Sequence, residues 1–194
     1  SLKQTRGQTP SRDAVDFSLA QSFNLRLLVH YVGDIHSLST QQQVLHGPTE
    51  GDRGGNSFRV HTDEDKEITN LHALWDSVVT KYGKDLQQPL SAADFATLDK
   101  WAANIRTNPR SSIADLGKPS SEWWRESYTL ANEAVYRDIT PGAPVSAAYI
   151  ESGSTFAETQ LAKAGYRLAD TLIEIWQEPH ETATEVGGLS KFLS

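Results

Sequence analysis

An all-α domain is the fold class this sequence predicts, on three observations. Apolar residues recur at steps of three and four through five stretches, the separators are rich in Gly and Pro, and only Phe58 to Val60 alternates as a strand would. With 194 residues the chain is long enough to bury a real core and short for two domains, so residues 1–194 are read as one.

Residues 1–12 are polar, contain Gly7 and Pro10, and predict an irregular lead-in. Ser11 is the expected N-cap of a long, largely buried helix from Asp13 to Ile35, on Val15, Phe17, Leu19, Phe23, Leu27, Leu28, Tyr31, Val32 and Ile35. Residues 37–69 carry Gly47, Pro48, Gly51, Gly54 and Gly55 and predict a loop, with Phe58 and Val60 as a small strand. Leu71, Leu74, Trp75, Val78, Val79 and Tyr82 predict a second helix stopped by Gly83. Ser91 with Asp94 predicts a capping box for a third, which presents Phe95, Leu98, Trp101, Ala102 and Ile105. After a loop from Thr107 to Ser120, a fourth helix is expected from Ser121 to near Thr140, where Pro141, Gly142 and Pro144 close it. Ser146 to Gln177 reads as one helix or two, with Gly153 and Gly165 as the places for a break, and residues 179–194 as a loose tail.

Composition narrows the chemistry. Lys plus Arg is 18 against 25 Asp plus Glu, a net charge of -7. That is the wrong sign for gripping polyanions by side-chain charge alone, so phosphate chemistry here would need bound cations. Zero Cys removes disulfides and thiolate ligands, leaving His, Asp, Glu and backbone groups for a metal. No apolar run approaches the roughly 20 residues that span a bilayer.

Two predicted helices each carry a His followed four residues later by an Asp, His30 with Asp34 and His72 with Asp76. That spacing sets both side chains on one helix face, about 5–6 Å apart at Cβ, where they can grip one cation. One such pair alone reads more readily as an ordinary surface hydrogen bond, and two pairs in one small domain weaken that reading. The apolar neighbours Val29, Tyr31, Val32, Leu71, Leu74 and Trp75 favour the metal reading, because an uncompensated Asp among them is costly. Between the pairs, His36 and His46 flank a polar loop that leads into Gly-Asp-Arg-Gly-Gly-Asn at 51–56. Its glycines permit positive φ and close approach to a ligand, or make a plain surface turn.

Taken in order, HYVGDIH, VLHG, GDRGGN and NLHALWDS resemble the zinc-dependent class I, single-strand-specific nucleases, which include the 3'-nucleotidase/nucleases. QLAKAGYRLAD, within Trp124 to Trp176, is similar to that family's C-terminal helices. The resemblance implies a helical fold shared with bacterial phospholipase C and a cluster of three zinc ions. It implies that His30 and Asp34 ligate one zinc, that Asp34 also reaches another and so carries catalysis, and that His46, His72 and Asp76 hold a further one. The family usually has its middle ligand where this chain has Thr40. Reading SLSTQQ as an insertion makes His46 the counterpart, with His36, a supporting residue in the family, as the competing candidate.

The family's first Trp and its early His and Asp ligands have no counterpart in residues 1–29. The expectation is therefore the C-terminal portion of a class I nuclease domain, without the N-terminal segment that completes the site and incomplete for catalysis alone. The implied reaction is hydrolysis of P–O3' bonds in single-stranded DNA or RNA to 5'-phosphates, with 3'-nucleotides as further substrates, in a secreted or lumenal protein. Arg53 is a candidate for phosphate and Asn56 for substrate or a carboxylate, although Asp52 and Asn56 also suit a role confined to their own turn. Trp123, Trp124, Tyr128 and Tyr136 are available as a base platform but read as core from their helical spacing, as does Trp75. His61 and His180 read as surface residues, and Glu133, Glu151 and Glu158 as solvated charges. The alternatives are an inactive or truncated relative that binds metal or a partner, and a phospholipase C-like phosphodiesterase, against which GDRGGN followed by NLHALWD looks nuclease-like.

Overall fold

The computed structural model describes residues 12–38, 51–63, 68–82, 86 and 88–177, with side chains in the first helix from Ser18 onward. These residues form five α-helices: α1 (Arg12–His36), α2 (Leu71–Asp76), α3 (Ala92–Ile105), α4 (Ser120–Leu130) and α5 (Ala147–Gln177). A 3-10 turn at Arg110–Ser112 precedes α4, and a π-helical turn at Ala131–Val135 follows it. Among the described residues no helix is long and apolar enough to cross a membrane.

The mostly helical class is as the periodicity predicts, and the differences lie in lengths and faces. Phe58 and Val60 are buried while Arg59 and His61 face outward, but this segment makes only isolated bridges, Arg59 with Asn70 and His61 with Pro144. It is clamped from both sides, Leu71 N–H donating to the Phe58 carbonyl at 2.9 Å and Val145 N–H to the His61 carbonyl at 2.9 Å. α2 stops at Asp76, well before Gly83, because Val78, Val79 and Thr80 all take left-handed backbone, with φ of 54°, 53° and 75°. α4 ends at Leu130 and its π turn at Val135, short of Thr140. α5 runs unbroken through Gly153 and Gly165. The capping box at Ser91 and Asp94 is present. The Ser11 cap, the Gly83 stop and the tail 179–194 lie outside the described residues.

α1 corrects the expectation of a largely buried helix. Leu19, Phe23, Val29 and Tyr31 are exposed, and among its described side chains Val32 and His36 are the buried ones. Its apolar positions wrap around more of the circumference than α4 and α5, the helices it packs against, cover. The core lies instead under the 58–79 region, where Leu71, Leu74, Trp75 and Val79 meet Ala131, Val135, Tyr149 and Ala157. Trp75 Nε1–H donates to the Tyr149 hydroxyl at 2.8 Å, and that hydroxyl donates to the Val135 carbonyl at 2.6 Å, tying α2 to α5 and the π turn. Gly153 sits where a Cβ would lie 3.1 Å from Val79 Cγ2, so a side chain there would require Val79 to give by a few tenths of an ångström.

Candidate metal centre

The pair on α2 is built by its surroundings. Asn70 caps the helix, its side chain accepting from Ala73 N–H at 2.8 Å, which makes His72 the second helical residue and Asp76 the last. The Gly51–Asn56 turn, with φ of 62°, 57°, 66° and 86° at Gly51, Arg53, Gly54 and Gly55, lies directly against this helix start. A Cβ on Gly55 would stand 3.0 Å from the His72 backbone nitrogen, so the close approach that glycine allows is made to the helix carrying His72.

That approach brings the Gly54 carbonyl to 3.0 Å from His72 Nδ1, which must donate to it. With Nδ1 donating to Gly54, Nε2 faces Asp76 Oδ2, 3.2 Å away, and it is a lone pair of Nε2 that points there whenever this ring carries its single proton on Nδ1. Two acceptors facing each other repel unless a proton or a cation lies between them. An imidazole held by a carbonyl at one nitrogen and open at the other is the arrangement metal-binding histidines use, so this donor set fits a divalent cation.

The turn is anchored from beneath. Asp52 is buried and accepts from the Tyr136 hydroxyl at 2.6 Å, while its Oδ1 is buried with no hydrogen-bond partner. Burial, reinforced by Asp52, pushes the Tyr136 hydroxyl well above its ordinary range and keeps it a donor. Asn56 and Arg53 are both exposed, and the Asn56 amide donates to the Arg53 carbonyl at 2.9 Å, closing their own turn.

The pair on α1 repeats the spacing in the open. His30 Nε2 and Asp34 Oδ2 are also 3.2 Å apart, with side chains 65% and 52% exposed. Gly33, beside Asp34, and Asp76 line one cleft of ≈ 150 Å³ together with His36 and Trp75, so the ends of α1 and α2 meet there. His36, the competing ligand candidate, has both nitrogens engaged: Nδ1 donates to the Val32 carbonyl at 2.7 Å, and Nε2 accepts from Arg167 Nη1 at 2.8 Å. Burial first, and Arg167 after it, keep this ring neutral by lowering its pKa, against the raising effect of the Val32 carbonyl. His46 lies outside the described residues. Among the described residues no three or more His, Asp or Glu side chains converge as a metal-binding group.

Sequence reasoning missed the polar cluster behind α1. Arg167 is fully buried, and Glu126 takes hydrogen bonds from both Lys163 and Arg167. Burial alone would raise the Glu126 pKa, but those two cations outweigh it and hold the carboxyl below its ordinary value. The available signal was Lys163 and Arg167 four residues apart within the Ala- and Leu-rich stretch QLAKAGYRLAD. Two aromatic readings also change. Trp123 is buried, but Trp124 and Tyr128 are about half exposed, because α4 turns them away from α1 and α5. Glu158 is no solvated charge: it bonds Lys81 at 2.7 Å, Tyr82 at 2.5 Å and Asn104 at 2.7 Å.

The comparisons converge on one family. The S1/P1 Nuclease family model matches residues 3–177. Endonuclease 3 of Arabidopsis thaliana is 30% identical over 179 residues, 89% of this chain and 57% of that protein. Endonuclease 4 of the same plant is 32% identical over 168 residues, covering 84% and 52%. Nuclease S1 of Aspergillus oryzae is 29% identical over 172 residues, covering 80% and 55%. The chain spans about half the length of the curated relatives it matches. Since the match runs through both His–Asp pairs and the glycine turn that orients one of them, the chain belongs to the S1/P1 nuclease family.

Proposed function

We propose that this chain carries part of the metal centre of a zinc-dependent nuclease that hydrolyses P–O3' bonds of single-stranded DNA or RNA to 5'-phosphates and removes phosphate from 3'-nucleotides. The observation that carries the reading is His72, whose Nδ1–H is held by Gly54 so that Nε2 faces Asp76. His30 and Asp34 would hold a second cation, and His46 would join His72 and Asp76. Bound zinc would supply polarisation of phosphoryl oxygens and a nucleophile at neutral pH.

The chain's own residues orient and shield this chemistry. The Gly54 carbonyl fixes the ring of His72, Tyr136 and Asp52 hold the turn that presents it, and Trp75 walls the cleft beside Asp76. Exposed Arg53 is available to meet a phosphate, which matters in a chain of net charge -7. Asp34, at the exposed end of α1, is the carboxylate assigned to two cations. On family resemblance the reading extends to a secreted or lumenal protein.

The test is zinc analysis of the natural protein beside hydrolysis of single-stranded DNA, RNA, 3'-nucleotides and a phosphocholine lipid. About three zinc ions per molecule and cleavage of nucleic acid to 5'-phosphate ends support the reading. Lipid cleavage alone points to a phospholipase-like enzyme. A second reading is a relative that keeps a metal or interaction role without catalysis, and one zinc or none with no hydrolysis would establish it.

A further inference from the structure

The last turn of α1 is held from behind. At 100° per residue, positions 32 and 36 lie about 200° around the helix from 30 and 34. The buried face with Val32 and His36 is therefore opposite the exposed face with His30 and Asp34. Two neighbouring helices clamp the buried side: Ser127 Oγ–H of α4 donates to the Ile35 carbonyl at 2.6 Å, and Arg167 of α5 donates to His36 Nε2 at 2.8 Å.

Arg167 is itself fixed. Its Nη2 donates to Glu126 at 2.7 Å and to the Asp115 carbonyl at 2.5 Å, and its guanidinium lies over the Trp123 ring at 5.0 Å. Its Nε is buried without a hydrogen-bond partner, a cost that an apolar side chain of similar size would avoid. A guanidinium kept there at a cost calls for a role that packing does not supply.

We propose that Arg167 is a positioning residue for the metal-facing side of α1. Through His36 it sets the rotation of the last turn, and so the direction in which His30 and Asp34 point. By occupying Nε2 it also withholds the His36 imidazole from any cation. The proposal rests on the metal reading of the His30–Asp34 pair.

The test is zinc titration of the natural protein by calorimetry in a His72→Ala background, where binding reports the α1 pair, with melting of the metal-free protein followed by circular dichroism. Arg167→Met is expected to weaken zinc binding roughly 10- to 100-fold, the range for residues that orient a metal ligand. Arg167→Lys should not rescue it, since an ammonium lacks the fork that reaches His36 and Glu126 together. Ser127→Ala should weaken binding in the same direction by less, and it decides the matter should the Arg167 variants not fold. Unchanged zinc affinity in folded variants, with or without a lower melting temperature, overturns the positioning role and leaves the metal reading intact. A His72→Ala parent that binds no zinc overturns the metal reading of this pair, and the proposal with it.

Discussion

The two His–Asp pairs have the same spacing and the same 3.2 Å separation, yet they stand in different physical states. The His30 side chain is 65% exposed, and that of His72 is 26% exposed with one nitrogen fixed by Gly54. Helix geometry alone delivers the pairing, and it delivers it twice. What separates the pairs is the second contact, a carbonyl carried in by a glycine turn, which sets the tautomer and aims the lone pair. The α1 pair is aimed instead by rotation of its helix, from contacts on the far side.

This contrast can be broken from either side. Removing a ligand has the largest effect: His72→Ala should cost the α2 site roughly 100-fold or more in zinc affinity, beyond the range for supporting residues, read by calorimetry. Gly55→Ala attacks the same site without touching a ligand. A methyl at positive φ, 3.0 Å from the His72 nitrogen, should cost roughly 1–3 kcal/mol in urea denaturation and loosen zinc at His72 while leaving the α1 pair unchanged.

How much of this was legible divides along the same line. Periodicity marked the helices, the Ser91 capping box and both pairs, because each depends on residues within four positions of one another. The exposure of α1, the early end of α2 and the Arg167 cluster depend on what packs across the chain, and local spacing does not encode that. Arg167 meets His36 across 131 positions, and Tyr136 meets Asp52 across 84. The glycine turn lay between: its positive φ was readable from composition, but its target, the backbone of His72, was not.

Smaller effects sharpen the contrast on the α1 side. Glu126 has a folded pKa below its ordinary 4.5, so its contribution to stability is complete above that value and is lost as pH falls through the folded pKa. Melting temperature should therefore drop on acidification below about 4.5, and drop less steeply in Glu126→Gln, read by thermal melts in a pH series. The smallest expected effect is His30→Ala in metal-free protein. An exposed pair of this kind should change unfolding free energy by less than about 0.5 kcal/mol, against about 1 kcal/mol for His72→Ala, which also loses the bond to Gly54.

The left-handed run at Val78, Val79 and Thr80 bears on where Asp76 sits. Side chains branched at Cβ disfavour this backbone, so the reversal persists because Val78 and Val79 are swallowed by the interior. The carboxylate is thus moored by hydrophobic anchorage two and three residues downstream. A sequence change that let these residues wind onward right-handed would lengthen α2 and unseat both valines. The hydrophobic interior and the placement of the Asp76 carboxylate are, at this corner, one and the same constraint.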